Sequence, residues 1–453
     1  MIADAGRAGV QPRSPARLED RRPAVVLVGN DDLSDETARA LEAADVRLIR
    51  LHEPDEGDVR EAFGGERIDY AAVVASSDAM VLRIALMVRT VSEDVPLLLT
   101  IFEPTMAEHV SGLVPNTTVT SLADIVAPSL AGPCVDERFR AVTTAEDRPC
   151  GLVETDDGVS SEPIPAFRPR RLEGLARALF TPYDKSAGML LFGAIGLVAI
   201  FALETVTAVF TLNESFVDAT YGSAKTLVTV DPNPKVATGP GWYKLFISGT
   251  MIVALLFVAA FTAGLVNRVV ERRLTGLVGR RAVPRRDHVV VVGLGQVGLR
   301  LCLVLRACRI PLVAVESEAG SESIGRARAL GLPVVVGRGA DPSLMARLSL
   351  SRARAVAAVT SDDLENISVA MAARGTCPAI RTVLRVGDGQ VANETRSLLA
   401  LGIVRDVHRI AASLLAAKIV GAEAQSVVCL ADGAHLRFAD GRLERGALDV
   451  VAG

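Results

Sequence analysis

The chain has 453 residues, of which 50% are hydrophobic and 23% are charged, which is enough for about three domains. Its net charge of −4 gives no general basis for nucleic-acid binding, so we expect no nucleic-acid partner. The mean hydropathy of +0.34 is high for a soluble enzyme and predicts surface that faces lipid. Residues 1–22 contain no apolar run of signal-peptide length, and we expect a disordered tail there.

Cysteine and histidine give no metal or disulfide signal. The six cysteines form no CxxC pair, and the five histidines are scattered without metal-ligand spacing. We therefore expect reduced thiols and no metal ion.

A strand–turn–helix pattern opens a first α/β segment, which we place at residues 23–145. VVLVGNDDLS, at 25–34, aligns with VVVVGLGQVG, at 289–298, but Asp31 and Ser34 replace its second and third glycines. Three later stretches also align with the C-terminal half, namely 71–89, 97–110 and 121–132. We therefore predict a degenerate copy of a nucleotide-binding domain, in which the Asp31 carboxylate would repel phosphate.

Two uncharged apolar stretches predict two membrane-spanning helices, at about 187–210 and 245–266, after a linker at 146–185. An α-helix needs about 20 apolar residues to cross the hydrocarbon. The first stretch reaches that length if Glu204 lies near the outer interface. Arginines flank both stretches on one side, whereas residues 211–244 between them contain none. The positive-inside rule then puts both termini in the cytoplasm.

The segment between the spans predicts a re-entrant pore loop at 218–234. Residues 218–230 favour a short helix, which DPNP at 231–234 interrupts. Non-helical backbone at this depth is tolerated only inside protein or beside water. Trp242 and Tyr243 then fit an interfacial aromatic belt. An ordinary surface loop is the alternative.

A complete dinucleotide-binding fingerprint follows the second span and a basic linker at 274–286. HVVVV, at 288–292, predicts a buried parallel strand. A helix and a second strand follow the glycine-rich turn. The residues of that turn are Gly293, Leu294, Gly295, Gln296, Val297 and Gly298. Gly293 permits the tight turn, Gly295 lets the backbone approach a pyrophosphate, and Gly298 lets the helix pack against the strand.

The acid at the end of the second strand, Glu316, can accept hydrogen bonds from ribose hydroxyls. Glu318 adds negative charge that would repel a 2′-phosphate. The sequence therefore favours NAD or NADH over NADP, with ATP and ADP as further candidates. Asp362 is the last predicted cofactor-binding residue. The alternative is a fold that keeps its glycines for packing only.

These motifs resemble the regulator-of-K⁺-conductance (RCK) domain over residues 287–421, leaving a short extension at 422–453. The resemblance rests on the turn, on Glu316, and on the GRGADPSLM and TSDDLENI stretches at 337–345 and 360–367. The family usually has an aspartate where this chain has Arg338.

The middle of the chain, 186–273, resembles a two-span potassium-channel pore. The filter of that family resembles T-V-G-Y-G, and the aligned residues here are Thr229, Val230, Asp231, Pro232 and Asn233. Both filter glycines are missing and Pro232 fixes φ, which argues against potassium selectivity. A ring of Asp231 carboxylates would favour monovalent cations in general.

The resemblance implies a mixed fold, with a two-span α-helical pore domain between two doubly wound Rossmann-like domains. It also implies a homotetramer in a plasma membrane, of expected bacterial origin, in which Gly249 or Gly264 bends the second span. The expected function is a cation channel gated by nucleotide and not an enzyme. A non-conducting sensor or regulatory subunit and a membrane-bound NAD-dependent oxidoreductase are the alternatives.

Overall fold

The computed structural model describes residues 22–65, 67–75, 77–145, 148–156, 158–165, 185–227, 234–270, 286–395, 401–430 and 432–446. Two α/β halves lie on either side of a helical hairpin in the chain. The predicted filter residues, Thr229 to Asn233, lie outside the described residues, as do the tail at 1–21 and most of the basic linker.

The first half is built on a five-stranded parallel sheet with the order β2-β1-β3-β4-β5. All five residues of β1 are buried, as expected for a parallel strand covered by helices on both faces. The elements are β1 (Ala24–Val28), α1 (Asp32–Ala43), β2 (Arg47–Leu51), α2 (Glu56–Gly64), β3 (Tyr70–Val73), α3 (Asp78–Val91), β4 (Leu97–Thr100), α4 (Pro104–Leu113), β5 (Thr117–Thr120) and α5 (Leu122–Val135).

A three-stranded antiparallel sheet completes the first half, and it changes the predicted boundary. Its strands are β6 (Phe139–Ala145), β7 (Arg148–Thr155) and β8 (Gly158–Pro163). The strands β7 and β8 fall inside the linker predicted at 146–185. The acids and prolines of that segment suggested a linker, but they alternate with apolar residues such as Leu152, which is buried.

Two long apolar helices follow, each long enough to cross a membrane. The hairpin contains α6 (Lys185–Leu212), α7 (Phe216–Leu227), a 3₁₀ turn (Pro234–Thr238) and α8 (Gly241–Val270). The candidate spans, Met189–Leu212 and Gly241–Val266, have mean hydropathies of 2.2 and 2.3. Large apolar side chains on both are exposed, which a core helix of a soluble domain would bury. Both features indicate a membrane protein.

Close helix packing joins α6 to α8. A Cβ on Gly264 would lie 2.7 Å from the backbone nitrogen of Leu190, and one on Gly193 would lie 2.7 Å from that of Phe261. These glycines let the two backbones approach each other, as small residues do between membrane helices. Gly249 has open space at the same position. The two predicted hinge glycines therefore have different surroundings.

Glu204 lies inside the helical pair rather than at its end. It is eight residues before the last residue of α6, about 12 Å along the axis. Its carboxylate accepts a hydrogen bond from the Thr250 hydroxyl of α8, and it is buried. The partner helix therefore shields this carboxylate within the helical pair. Of the two predicted belt aromatics, Trp242 is exposed and Tyr243 is buried.

The second half repeats the plan with one more strand. Its six-stranded parallel sheet has the order β11-β10-β9-β12-β13-β14, and an antiparallel sheet of three strands follows. The elements are β9 (Val289–Val292), α9 (Gln296–Ala307), β10 (Leu312–Glu316), α10 (Glu322–Ala329), β11 (Val334–Val336), α11 (Pro342–Arg347), a 3₁₀ turn (Leu350–Arg352), β12 (Ala355–Ala358), α12 (Asp363–Thr376), β13 (Arg381–Val386), α13 (Gly389–Glu394), β14 (Ile403–Asp406), α14 (Val407–Ile419), β15 (Ala424–Leu430), β16 (Gly433–Phe438) and β17 (Leu443–Arg445).

Equivalent carboxylates make equivalent hydrogen bonds in the two halves. Asp78 opens α3 and accepts from the backbone amides of Phe102 and Glu103, both at 2.9 Å. Asp363 opens α12 and accepts from the amides of Gly387 and Asp388 at 3.0 and 3.1 Å. Each aspartate thus ties a helix to the loop after the next strand. The first half has no counterpart of β11 among the described residues.

The two halves exchange their last long helices and share one core. Helix α5 of the first half packs against α9 and against β12 and β13 of the second, while α14 packs against α1, β3 and β4. Such reciprocal contacts are those of a two-fold interface, here made within one chain. The carbonyls of Pro133 and Val135 at the end of α5 accept from Arg381 and Arg354, at 3.0 and 3.2 Å. The cationic donors suit the negative end of the helix dipole.

Candidate nucleotide-binding site

The glycine-rich turn connects β9 to α9 at the point where the strand order of the second sheet reverses. Ligands of doubly wound sheets bind in the crevice beside this point. Gly293 has a φ of +95°, and a Cβ there would lie 2.8 Å from the amide nitrogen of Thr360. A Cβ on Gly298 would overlap the Gly293 carbonyl. Both positions therefore require glycine for the fold itself.

Gly295 is different, because among the described residues no atom beyond its chain neighbours and the backbone of its own helix lies within 4 Å of the position of a Cβ there. It is the N-cap of α9 and makes no side-chain capping bond. The first amides of a helix lack partners inside the helix and attract anions. The open space above Gly295 therefore lies beside uncapped amides.

The equivalent turn of the first half is occupied by its own side chains. The Asp31 carboxylate accepts from the Ser34 amide at 2.9 Å, and the Ser34 hydroxyl accepts from the Asp31 amide at 3.1 Å. This capping box satisfies amides of α1 and puts a negative charge where a phosphate would bind. The first half thus has the fold but not the open anion position.

Glu316 lies at the end of β10, where the fingerprint predicts the ribose acceptor. One carboxylate oxygen accepts from the Leu294 amide at 3.0 Å, which fixes the side chain beside the turn. The other oxygen accepts from the Glu318 amide at 3.2 Å. The Ser317 hydroxyl also donates to this second oxygen, at 3.3 Å, so the oxygen that accepts from Leu294 is the one that keeps an acceptor position for a ribose hydroxyl.

A cavity of about 570 Å³ extends from the glycine-rich turn to the first half. This volume is within the usual range for small-molecule and cofactor sites. The second half contributes Val292, Gly293, Gly295, Gln296, Val297, Val315, Glu316, Ser317, Ser321, Ser323, Gly339, Thr360, Ser361, Glu365, Arg385 and His408. The first half contributes Asp31, Asp32, Leu33, Phe102 and Leu122. The site is therefore formed between the two halves.

Two basic side chains of the cavity were not predicted from the sequence. Arg385, near the end of β13, donates to the Thr360 carbonyl at 3.1 Å, while its Nε is buried with no hydrogen-bond partner among the described residues. His408, in the first turn of α14, also has a buried Nδ1 without such a partner. Burial, and next the charge of Arg385, lower the pKa of His408. Burial also lowers the pKa of Arg385. They could not be predicted because they lie far from the glycine-rich turn in the sequence.

Asp362 does not line this cavity. Its carboxylate accepts from the amides of Leu364 and Glu365 at 2.8 and 3.1 Å, and so caps α12. The neighbouring residues Thr360, Ser361 and Glu365 line the cavity instead. Arg338, which replaces the usual aspartate of the RCK family, is exposed. The next residue, Gly339, lines the cavity, so Arg338 lies at the edge of the cavity.

The family model that describes the TrkA-N domain matches residues 289–405, which include the turn, Glu316 and Arg385. The matched residues span β9 to β14, and the first half faces them across the cavity.

Similar proteins include membrane channels. The chain is 22% identical over 234 residues to the voltage-gated potassium channel Kch of Escherichia coli (strain K12), an alignment that covers 50% of this chain and 56% of Kch. The chain thus matches about half the length of that relative. The resemblance to potassium-channel-like proteins with an RCK domain is confirmed.

Two solved structures are also similar to parts of this chain. The GsuK channel bound to NAD is 14% identical, with 88% of this chain and 64% of that chain covered and a TM-score of 0.48. The TrkA-N domain of the inner membrane protein ybaL from Escherichia coli is 25% identical. That comparison covers 29% of this chain and 95% of that domain, with a TM-score of 0.26.

Proposed function

We propose that this chain is the subunit of a tetrameric cation channel, or channel-like membrane protein, whose TrkA-N domain binds NAD or NADH in the cytoplasm. The observation that carries the nucleotide site is the open, uncapped turn at Gly295 beside a cavity of about 570 Å³. Glu316, fixed beside the turn, supports a ribose in the same cavity. ADP and ATP remain candidate ligands.

One nucleotide per chain is proposed, held by the turn at 293–298. The capping box of Asp31 and Ser34 argues against a second nucleotide in the first half. Four chains would then supply eight α/β halves but four nucleotide sites, arranged as a ring below one pore.

The membrane hairpin supports a pore, because a short helix lies between the two spans and packs against the first. Helix α7 follows α6 after only three residues and contacts it extensively, so it turns back along the first span. A polypeptide that turns back at this depth has to line water or be covered by protein. We propose that residues 218–234 form the re-entrant segment and that lipid covers the outer faces of α6 and α8.

The nucleotide site is tested by isothermal titration of the detergent-solubilised chain with NAD, NADH, ADP and ATP. Gly295→Asp places a carboxylate in the open anion position, and we expect it to weaken binding about 100-fold or more while the chain still folds. Gly325→Asp is the matched control, since Gly325 is exposed on α10 and also has open space. Retained binding in Gly295→Asp would remove the site from this turn.

A non-conducting sensor or regulatory subunit is the second candidate, favoured by Pro232 and by the absence of both filter glycines. Measuring ion flux into proteoliposomes distinguishes the channel from the non-conducting sensor. A channel passes cations when nucleotide is added or removed, whereas a sensor passes none. The oxidoreductase alternative predicts consumption of NADH, which absorbance would show. We propose no enzymatic activity.

A further inference from the structure

The first half supplies an acidic wall to the nucleotide cavity. Asp31, the N-cap of α1, and Asp32, its first residue, line the same cavity as the glycine-rich turn. Asp32 is exposed to solvent and has no ion-pair partner within 4 Å in the part of the chain that the structure describes. Phe102 and Leu122 add apolar surface beside these carboxylates. The half without an open phosphate position thus contributes charge to the site of the other half.

The charges that line the cavity are unbalanced. Among the described residues that line the cavity, the carboxylates of Asp32, Glu316 and Glu365 outnumber the one guanidinium, that of Arg385. The pKa of His408 is lowered by burial and by Arg385, which favours its neutral form. A ligand therefore enters a cavity with excess negative charge, although its phosphates have favourable positions at the uncapped amides and Arg385.

The orientation of a dinucleotide directs its second ring toward this wall. The pyrophosphate of a bound dinucleotide lies at the helix N-terminus, and the acid after the second strand binds the adenosine ribose. Glu316 and Gly295 therefore fix the adenosine half on one side of the turn. The nicotinamide half would then extend into the rest of the cavity, whose lining includes Asp32 and Phe102 of the first half.

We propose that the acidic wall makes the cavity selective for NAD⁺ over NADH, so that the degenerate half determines the redox state that the site recognises. This inference rests on the proposed nucleotide site. The nicotinamide ring is cationic in NAD⁺ and neutral in NADH, and opposite charges at close range attract strongly where water is partly excluded. ADP and ATP carry extra phosphate charge and no cationic ring, so the same wall disfavours them.

The test compares the dissociation constants of NAD⁺, NADH and ADP for the full chain, without divalent cations, at low and at physiological ionic strength. We expect NAD⁺ to bind about threefold or more tightly than NADH, with a smaller ratio at higher salt. Asp32→Asn should reduce this ratio about twofold and tighten ADP binding. Glu365→Gln removes a second carboxylate from the opposite half and should act in the same direction.

Glu42→Gln is the matched control, because Glu42 is exposed on the same helix α1 and does not line the cavity. It should leave the ratio unchanged, and thermal midpoints establish that all variants are folded. Equal affinities for NAD⁺ and NADH, or a ratio that survives both Asp32→Asn and Glu365→Gln, would overturn this inference alone. Failure to bind any nucleotide would overturn the proposed function and this inference together.

Discussion

Gly295 and Asp31 occupy equivalent positions in the two halves and have opposite consequences for an anion. The open space at Gly295 leaves the amides of α9 free, whereas the Asp31 carboxylate satisfies amides of α1 from within the chain. A single side chain thus distinguishes a binding turn from a structural one. Gly293 and Gly298 are required by the fold, since side chains there would meet Thr360 and the Gly293 carbonyl.

At the same scale, the burial of His288 should make the stability of the folded chain decrease at acidic pH. It is fully buried before β9, where its Nε2 lies 3.0 Å from the Leu348 carbonyl. Burial is the main cause that lowers its pKa from 6.5 to about 4. The unfolded chain therefore binds a proton at a higher pH than the folded chain. Neutral His288 therefore contributes about 3 kcal/mol to the free energy of unfolding. This contribution is complete above pH 6.5 and is lost as the pH falls toward 4.

The measurement is the denaturation midpoint of the detergent-solubilised chain between pH 4 and pH 7. His288→Gln should flatten this part of the profile relative to the wild type. His109→Gln should not, because His109 is exposed on α4. A wild-type profile retained in His288→Gln would mean that other groups cause the slope.

At the scale of elements, the membrane hairpin depends on glycines that face a neighbouring helix. Gly264 of α8 approaches the backbone of Leu190 in α6, and Gly249 of the same helix faces open space. Gly264→Ala should therefore destabilise the hairpin by about 1–3 kcal/mol through overpacking. Gly249→Ala should leave stability unchanged or slightly raised, since alanine favours helix more than glycine does.

Thermal midpoints in one detergent compare the two variants with the wild type. An equal loss in both would mean that glycine acts through helix flexibility, as the two predicted hinges require. A loss confined to Gly264→Ala would assign that residue to helix packing, leaving Gly249 as the candidate hinge.

At the scale of the whole molecule, the cavity lies between two halves that already share a core through α5 and α14. A ligand in it contacts both halves, so binding should stabilise their arrangement. We expect saturating NAD to slow hydrogen exchange in the first turn of α1 as well as in the turn at 293–298. At a concentration 100 times the dissociation constant, the stabilisation is about 2.7 kcal/mol.

Hydrogen exchange with mass spectrometry, on the full chain with and without NAD, measures this effect by peptide. Gly295→Asp should show no protection in either half. Protection confined to residues 289–405 would contradict a ligand shared between the halves. It would also leave the first half without a role in nucleotide recognition.

The sequence by itself determined the local features of this protein. The local sequence pattern was enough to predict strand β9, the glycine-rich turn and Glu316. A buried strand and a tight turn each constrain the residues next to them. The two spans follow from hydropathy alone, and the match between Asp78 and Asp363 followed from the repeat. The boundaries of other elements could not be predicted in this way. Helix α11 has only six residues, and the strands β7 and β8 are rich in polar residues.

Only the tertiary structure decided what lies across the cavity. Arg385 and His408 are about a hundred residues from the turn, and Asp32 comes from the other half, so no spacing rule connects them to Gly295. The exchange of α5 and α14 brings these residues together, because each helix buries its apolar faces against the opposite sheet. Binding turns are thus encoded locally, whereas the charge that faces a ligand depends on which distant surfaces the core joins.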